Sequence, residues 1–404
     1  MAAAVLALLF LAFAPAEPEP TPWRHTLFLQ FDGASLTWVP SPDDENAALG
    51  HSFLAKFEGS ELPVYDGDDA DRAAVLQAVT AHLEPFGVSV VAERPPARVP
   101  YTMAVVGGQW DDTAATSVVR GIAPEVDCER LNQRHVVFAF VSADETVVAQ
   151  ATTVSQEAGH AWGLDHVVGE GLIMSYDLSA AATEFSDGCV PLCEEACQGP
   201  DSIYCARQHL EHCAAGSQDS RAELLSTFGD ADPDDVAPTV EILSPTDGIT
   251  LAPGSDLLVE VAVTDNYGGV GWDFELLQDG ESVATQTAFD RELVWPLGGL
   301  PEGSYEVRVR AQDHAGHQTT VSALVSVADV DDDGTLDGAT TGSQGSSDSA
   351  SSGDDELQTG GAAADDSETD GCACGTTGAP PPLWMMLPML GFSIRRLTRA
   401  RTSR

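Results

Sequence analysis

The chain has 404 residues, 43% of them hydrophobic, with 18 Lys+Arg against 64 Asp+Glu and a formal net charge of −46. That length exceeds one ordinary core and predicts two folded domains plus unstructured segments. That charge excludes nucleic acid and anionic membrane surfaces as partners, because both would repel it.

Met1 to Ala14 is an apolar run of secretory h-region length that ends in small residues. Cleavage after Ala16 satisfies a small-x-small rule through Ala14 and Ala16, so residues 1–16 are expected to form a signal peptide. No Lys or Arg precedes Arg24, so the basic n-region is missing, and a buried helix of a cytosolic protein is the alternative. The Pro/Glu-rich stretch Glu17 to Pro22 reads as a post-cleavage spacer and favours export, to the medium or the outer cell surface.

Residues 24–228 read as a mixed α/β (α+β) domain. His25 to Phe31, Val88 to Ala92 and Tyr101 to Val106 have strand patterns, and Arg134 to Val141 is the strongest strand. Asp69 to Phe86 has helical apolar spacing with acidic residues at its start. A second helix is expected from about Asp144 to Trp162, with Gly163 as its terminator.

Six cysteines, Cys128, Cys189, Cys193, Cys197, Cys205 and Cys213, lie in one stretch. An even number in an oxidising compartment predicts up to three disulfides, with the pairing open. The spacing of Cys189, Cys193 and Cys197 also allows three thiols on one helix face as metal ligands; export favours disulfides.

The segment Ser155-Gln-Glu-Ala-Gly-His-Ala-Trp-Gly-Leu-Asp-His166 carries the chemistry. On a helix, Gln156 and His160 lie one turn apart on one face with Glu157 beside them. Gly163 can leave the helix with φ > 0 and turn the chain so that His166 returns to the same point. Leu172-Ile-Met-Ser-Tyr176 follows. A core helix with two incidental histidines is the plain alternative.

At Glu157, His160, Gly163, His166 and Met174 the sequence resembles the metzincin zinc proteases, which carry H-E-x-x-H-x-x-G-x-x-H and a methionine turn. Ile173-Met-Ser-Tyr176 is most similar to the serralysin and astacin branches. The resemblance implies a metzincin-like domain, zinc as cofactor and a protein or peptide substrate. It makes Glu157 the general base, His160 and His166 metal ligands, Tyr176 a group at the metal, and Met174 an apolar floor. Gln156 stands where the family has its first histidine, and an amide oxygen is a weaker zinc ligand than imidazole. Two functions follow from that departure: a zinc metallopeptidase, or a catalytically impaired surface binding or adhesion protein.

Asp230 to Pro238 is an acidic linker, and residues 236–328 read as an all-β immunoglobulin-like sandwich. Its expected strands are TVEIL, LLVEVAVTD, VGWDFELLQ, SVATQTA, ELVW, YEVRVRAQD and TTVSALVSV. Ala311 to His317 resembles the A-x-D-x-A-G-N turn of bacterial Ig-like modules. His314 and His317 are expected at a solvated hairpin, with no metal role.

Residues 329–371 hold 13 acidic residues and no basic ones, which predicts a disordered, self-repelling stalk. Its start, Asp329 to Asp337, resembles a calcium loop, but Thr340 occupies the closing glutamate position. Residues 372–404 contain Cys372 and Cys374, a short apolar run from Leu383 to Ile394 and an arginine cluster. This order resembles the MYXO-CTERM sorting tail, which implies Cys372 and Cys374 as processing or attachment thiols and confines membrane contact to the tail. A short retained anchor is the alternative.

Overall fold

The computed structural model describes residues 21–128, 132–140, 146–176, 182–193, 203–289 and 299–329. The signal segment, the stalk, the calcium-like loop beyond Asp329, Cys197, and the tail with Cys372 and Cys374 lie outside them.

The first part of the chain runs β1 (His25–Gln30), β2 (Ala34–Trp38), β3 (His51–Ser52), β4 (Ser60–Leu62), α1 (Asp69–Leu83), β5 (Val88–Val91) and β6 (Thr102–Val106). It continues through β7 (Gly121–Ile122), β8 (Val136–Ala139), α2 (Val147–Ala161), β9 (Val190–Pro191), α3 (Ala206–His209), β10 (Ser217–Gln218) and α4 (Ser220–Phe228). The main sheet has the order β5-β1-β6-β8-β7 and is parallel except for β7, which pairs antiparallel with β8 at the edge. β6 and β8 are buried at every position, which is why they read as continuous apolar runs rather than alternations. One face of the sheet packs on α1 and α2 through Leu27, Leu29, Val79, Val137 and Val154; the other covers Phe28, Met103, Val105 and Phe138.

Both expected helices are present with explicit starts. Asp68 and Asp71 close a capping box on α1, and Thr146 caps α2 by accepting from Ala149 N–H. α2 is buried from Gln150 to Ala161 although more than half of that stretch is polar. It is tolerated because the polar groups are bonded: Tyr65 donates to Gln150 Oε1 at 2.8 Å, Ser155 meets His82 Nδ1 at 2.9 Å, and Thr152 reaches the Ala182 carbonyl at 2.6 Å. The short β2, β3, β4, β9, β10 and the helix α4 lack a periodic signal long enough to be read from sequence.

The second module contains β11 (Thr239–Ser244), β12 (Ile249–Leu251), β13 (Glu260–Thr264), β14 (Gly271–Gln278), β15 (Glu281–Phe289), β16 (Gly303–Gln312) and β17 (Gln318–Val327). β11 pairs with β13, facing a sheet of order β12-β17-β16-β14-β15, around a core of Val259, Trp272, Phe274, Tyr305, Val307 and Val325. Six of the expected strands are found. ELVW lies outside the described residues, and β12 was not foreseen because three residues carry no alternation.

The hairpin between β16 and β17 departs from expectation. It is not solvated at His314, whose Nδ1 lies 2.8 Å from Thr26 Oγ1 of the first domain. Around it, Arg24 stacks 3.7 Å over the Tyr267 ring and donates to the carbonyls of Phe228, Asp230 and Asp232. Arg98 bonds Gln312 at 3.0 Å and Asp273 at 3.4 Å. The modules are therefore joined by part-buried polar contacts as well as by the linker.

Candidate functional site

α2 ends in a Schellman motif: Leu164 N–H bonds Gly159 O at 2.9 Å and Gly163 N–H bonds His160 O at 3.0 Å. Gly163 sits at φ +92°, where a side chain would be strained and would meet Gln208 and the Asp127 carbonyl. This reversal delivers His166 beside His160, with ring centroids 4.4 Å apart, and Tyr176 stands 5.1 Å beyond His166.

His160 Nδ1 bonds the Leu164 carbonyl at 2.7 Å, which fixes the ring and leaves Nε2 as its free lone pair. Burial lowers the pKa of His160, and burial with His160 as neighbour takes His166 down to about 3. Both rings are thus neutral, the form that ligates metal. His166 Nδ1 is buried without a hydrogen-bond partner. Two neutral imidazoles and an orphaned ring nitrogen fit a zinc-class cation.

Gln156 is 3% exposed and joins the same cleft. Its Nε2 donates to Ile173 O at 2.9 Å and Ser175 O at 2.8 Å, one carbonyl on each side of Met174. Both amide hydrogens are therefore committed to the methionine turn, and only Oε1 remains as a donor atom for a metal. Met174 is fully buried, with its sulfur so close to Gly159 that a Cβ there would lie 2.7 Å away. Gly159 is a site requirement that sequence reasoning missed; its signal was a glycine inside a helix, which otherwise costs stability.

Glu157 is 6% exposed, and burial raises its pKa to about 8, opposed in part by the nearby Ala123 backbone. A nearby cation would draw that value back down. Across from it, Gly121 of the edge strand passes so close that a Cβ would lie 2.6 Å from Glu157 Oε1. The cleft between them has a volume of about 930 Å³. Val118, Ile122, Val126, Tyr176 and Tyr204 give it an apolar and aromatic lining.

Asp165 was not among the expected site residues. Its Oδ2 accepts from the N–H groups of Tyr204 and Cys205 at 2.9 and 2.8 Å and from His209 Nε2 at 3.0 Å. Gln218 grips its backbone in both directions. His209 also bonds Glu223, and the two carboxylates raise its pKa to about 9. This buried triad anchors the turn that carries His166, and it joins residues too distant in sequence to be paired from spacing.

The cysteines pair as Cys128–Cys205 and Cys189–Cys213, and Cys193 is also disulfide-bonded. The reading of Cys189, Cys193 and Cys197 as thiol ligands on a helix face is thereby overturned: two of the three are oxidised, and Val190–Pro191 between them is a strand. Cys205 holds Tyr204 at the cleft.

Residues 238–309 match the family model of a bacterial Ig domain. A search of curated proteins returns no match. Among solved structures, the fibronectin(III)-like modules of Clostridium thermocellum CbhA align at 25% identity with a TM-score of 0.19, covering 23% of this chain and 47% of that one. CopC from Methylosinus trichosporium OB3b aligns at 22% identity and TM-score 0.18, covering 22% of this chain and 92% of that one. OgpA from Akkermansia muciniphila aligns at 11% identity and TM-score 0.16, covering 78% and 96%. Scores this low leave the first domain to be argued from its own residues.

Proposed function

We propose that the chain is an exported or cell-surface zinc metallopeptidase of metzincin type that hydrolyses peptide bonds in protein or peptide substrates. The observation that carries this reading is the convergence of His160, His166, Glu157 and Tyr176 on one cleft above a fully buried Met174. The antiparallel edge strand β7 along the same cleft supports it, because an edge can align an extended peptide. Disulfides and a bacterial Ig domain accord with export.

In this reading His160, His166 and the Oε1 of Gln156 would hold zinc, which would supply Lewis acidity at the cleft. Glu157 would take a proton from the attacking water as its oxygen bonds to the scissile carbonyl carbon, and would pass that proton to the amine nitrogen as the C–N bond breaks. Tyr176 donates its hydroxyl to the scissile carbonyl oxygen as charge develops there. Val118, Ile122 and Tyr204 exclude water from the substrate and favour apolar side chains.

A non-catalytic binding protein is the second reading, favoured by one observation: Gln156 is neutral and its amide group serves the methionine turn. Zinc analysis of the purified chain with a generic peptidase assay separates the two. The enzyme reading expects near-stoichiometric zinc and hydrolysis that falls a hundredfold or more in Glu157→Ala, on the order of a general base's contribution. Absence of zinc and of hydrolysis would leave the binding protein.

A further inference from the structure

The contact between the two modules turns on His314, in the hairpin between β16 and β17. Its Nδ1 lies 2.8 Å from Thr26 Oγ1 of β1, and its ring stands 5.8 Å from that of His25 on the same strand. Two backbone bonds cross the same joint: Arg24 N–H donates to Gly268 O at 3.1 Å, and Gly268 N–H donates to Pro22 O at 3.0 Å.

The packing has no place for a charge on His314. Its Nε2 is buried and bonds nothing. The facing ring cannot accept from it: Thr102 N–H donates to His25 Nε2 at 3.2 Å, so that nitrogen is unprotonated and the neutral ring carries its hydrogen on Nδ1. His25 is itself fully buried, stacked 5.6 Å from Phe228 and edge-on to Trp162 at 5.7 Å. The space beside His314 Nε2 is closed by Gly269, where a Cβ would lie 3.1 Å from that nitrogen, 2.5 Å from the Arg24 carbonyl oxygen and 3.3 Å from Gln133 Oε1. Those two oxygens are neutral, so neither supplies a counter-charge.

The charges around the pair do not supply one either. Arg24 precedes β1 and spends its guanidinium on the carbonyls of Phe228, Asp230 and Asp232 and on the Tyr267 ring. His135 repels a charge on His25; burial would lower its own pKa, but Asp127 and Glu45 raise it to about 9. Asp234 of the linker attracts a proton to His314, and Asp265 lies in the field of Asp234 and Asp313. Asp313 is already covered by His317 Nδ1 at 2.9 Å. Burial outweighs Asp234 and the Gly269 backbone and takes the His314 pKa down to about 4. Burial, with His314 and His135 as neighbours, takes His25 well below the usual histidine range.

We propose that the joint is an acid-released latch: a proton on His314 expels the hairpin from Thr26 and frees the Ig module to move on its linker. A ring held at about 4 when docked and at the ordinary 6.5 when freed favours docking above about pH 6.5 and loses that contribution as pH falls toward 4. Between about pH 7 and about pH 5 the docking equilibrium should shift about twentyfold toward the open form. Acid also neutralises Asp234 and Asp265 but not Arg24 or His135, so positive charge accumulates at the joint. The inference does not depend on the peptidase reading.

Hydrogen exchange of the full chain tests this, read at the Arg24 and Gly268 amides and corrected for the intrinsic effect of pH. Their protection should fall about twentyfold between about pH 7 and about pH 5, while β8 amides stay more protected at both. His314→Asn places an amide near the Nδ1 position and cannot take a proton, so it should remove most of that fall; His314→Gln is the second variant. His317→Asn should leave the fall in place, because His317 is exposed and already held in its charged form by Asp313. If both His314 variants are open at neutral pH, the ring resonances of His314 in the wild-type chain decide: a titration midpoint at or above about 6.5 overturns the proposal, and one near 4 supports it. The proposal is also overturned if joint protection is equal at the two pH values, if it falls as far in His314→Asn and His314→Gln, or if joint and β8 amides lose protection together in one unfolding event.

Discussion

Replacing Gln156 by histidine sets two effects of opposite sign against each other. The native amide donates to the Ile173 and Ser175 carbonyls at 2.9 and 2.8 Å. Each such bond contributes about 1 kcal/mol net, and a buried carbonyl left without a donor costs about 1–3 kcal/mol. A histidine ring turned toward the metal supplies neither donor, so Gln156→His should lose about 2–4 kcal/mol of stability in the absence of zinc. Imidazole is the better zinc ligand, so metal affinity should rise, and zinc at a hundredfold above its dissociation constant returns about 2.7 kcal/mol. Urea unfolding with and without zinc, beside competition for zinc with a chelating dye, measures both terms. Gln156→Glu is the control: it removes both donors and sets a carboxylate against two carbonyl oxygens, so its loss should exceed that of histidine. An unchanged metal-free stability in Gln156→His would refute the clamp on the methionine turn. An unchanged zinc affinity would refute Gln156 as an occupant of a ligand position.

Gly121→Ala should cut hydrolysis at least about tenfold with little loss of fold, because its Cβ would stand 2.6 Å from both Glu157 Oε1 and Thr153 Cγ2; full activity with intact circular dichroism would contradict this. Stability should fall as pH rises from about 6.5 toward 9, because His135 and His209 hold raised pKa values of about 9 through Asp127, Glu45, Asp165 and Glu223, and a raised histidine stabilises only while protonated. It should fall again below about pH 6.5 as the unfolded chain protonates histidines that the fold keeps neutral, among them His82 with a pKa of about 4; denaturant midpoints across pH that rise monotonically would exclude this. Removing the Cys128–Cys205 bridge should cost about 4–5 kcal/mol and removing Cys189–Cys213 about 3–4 kcal/mol, following the 77- and 24-residue separations they close. Only the first should also weaken hydrolysis, since Cys205 carries Tyr204 to the cleft.

How much was readable followed the range of each interaction. The helix with Glu157 and His160, the break at Gly163 and the return of His166 were visible because they depend on neighbours within a turn or two, where the 3.6-residue period and glycine's tolerance of positive φ act locally. The Ig module was visible for the same reason, since strand alternation and turn residues recur along each segment. The sequence could not show that Gln156 grips the two carbonyls flanking Met174, that Gly159 admits the Met174 sulfur, or that His209 joins Asp165 to Glu223. Nor could it choose among the cysteine pairings, or show that His314 leaves solvent for Thr26 and that Asp234, Asp313 and His317 meet at the joint. Those partners are separated by tens to hundreds of residues, and no local periodicity encodes them. They are selected when the sheet, the two helices and the second module bury their apolar faces together, because a buried polar group must then find its partner among whatever that packing brings near.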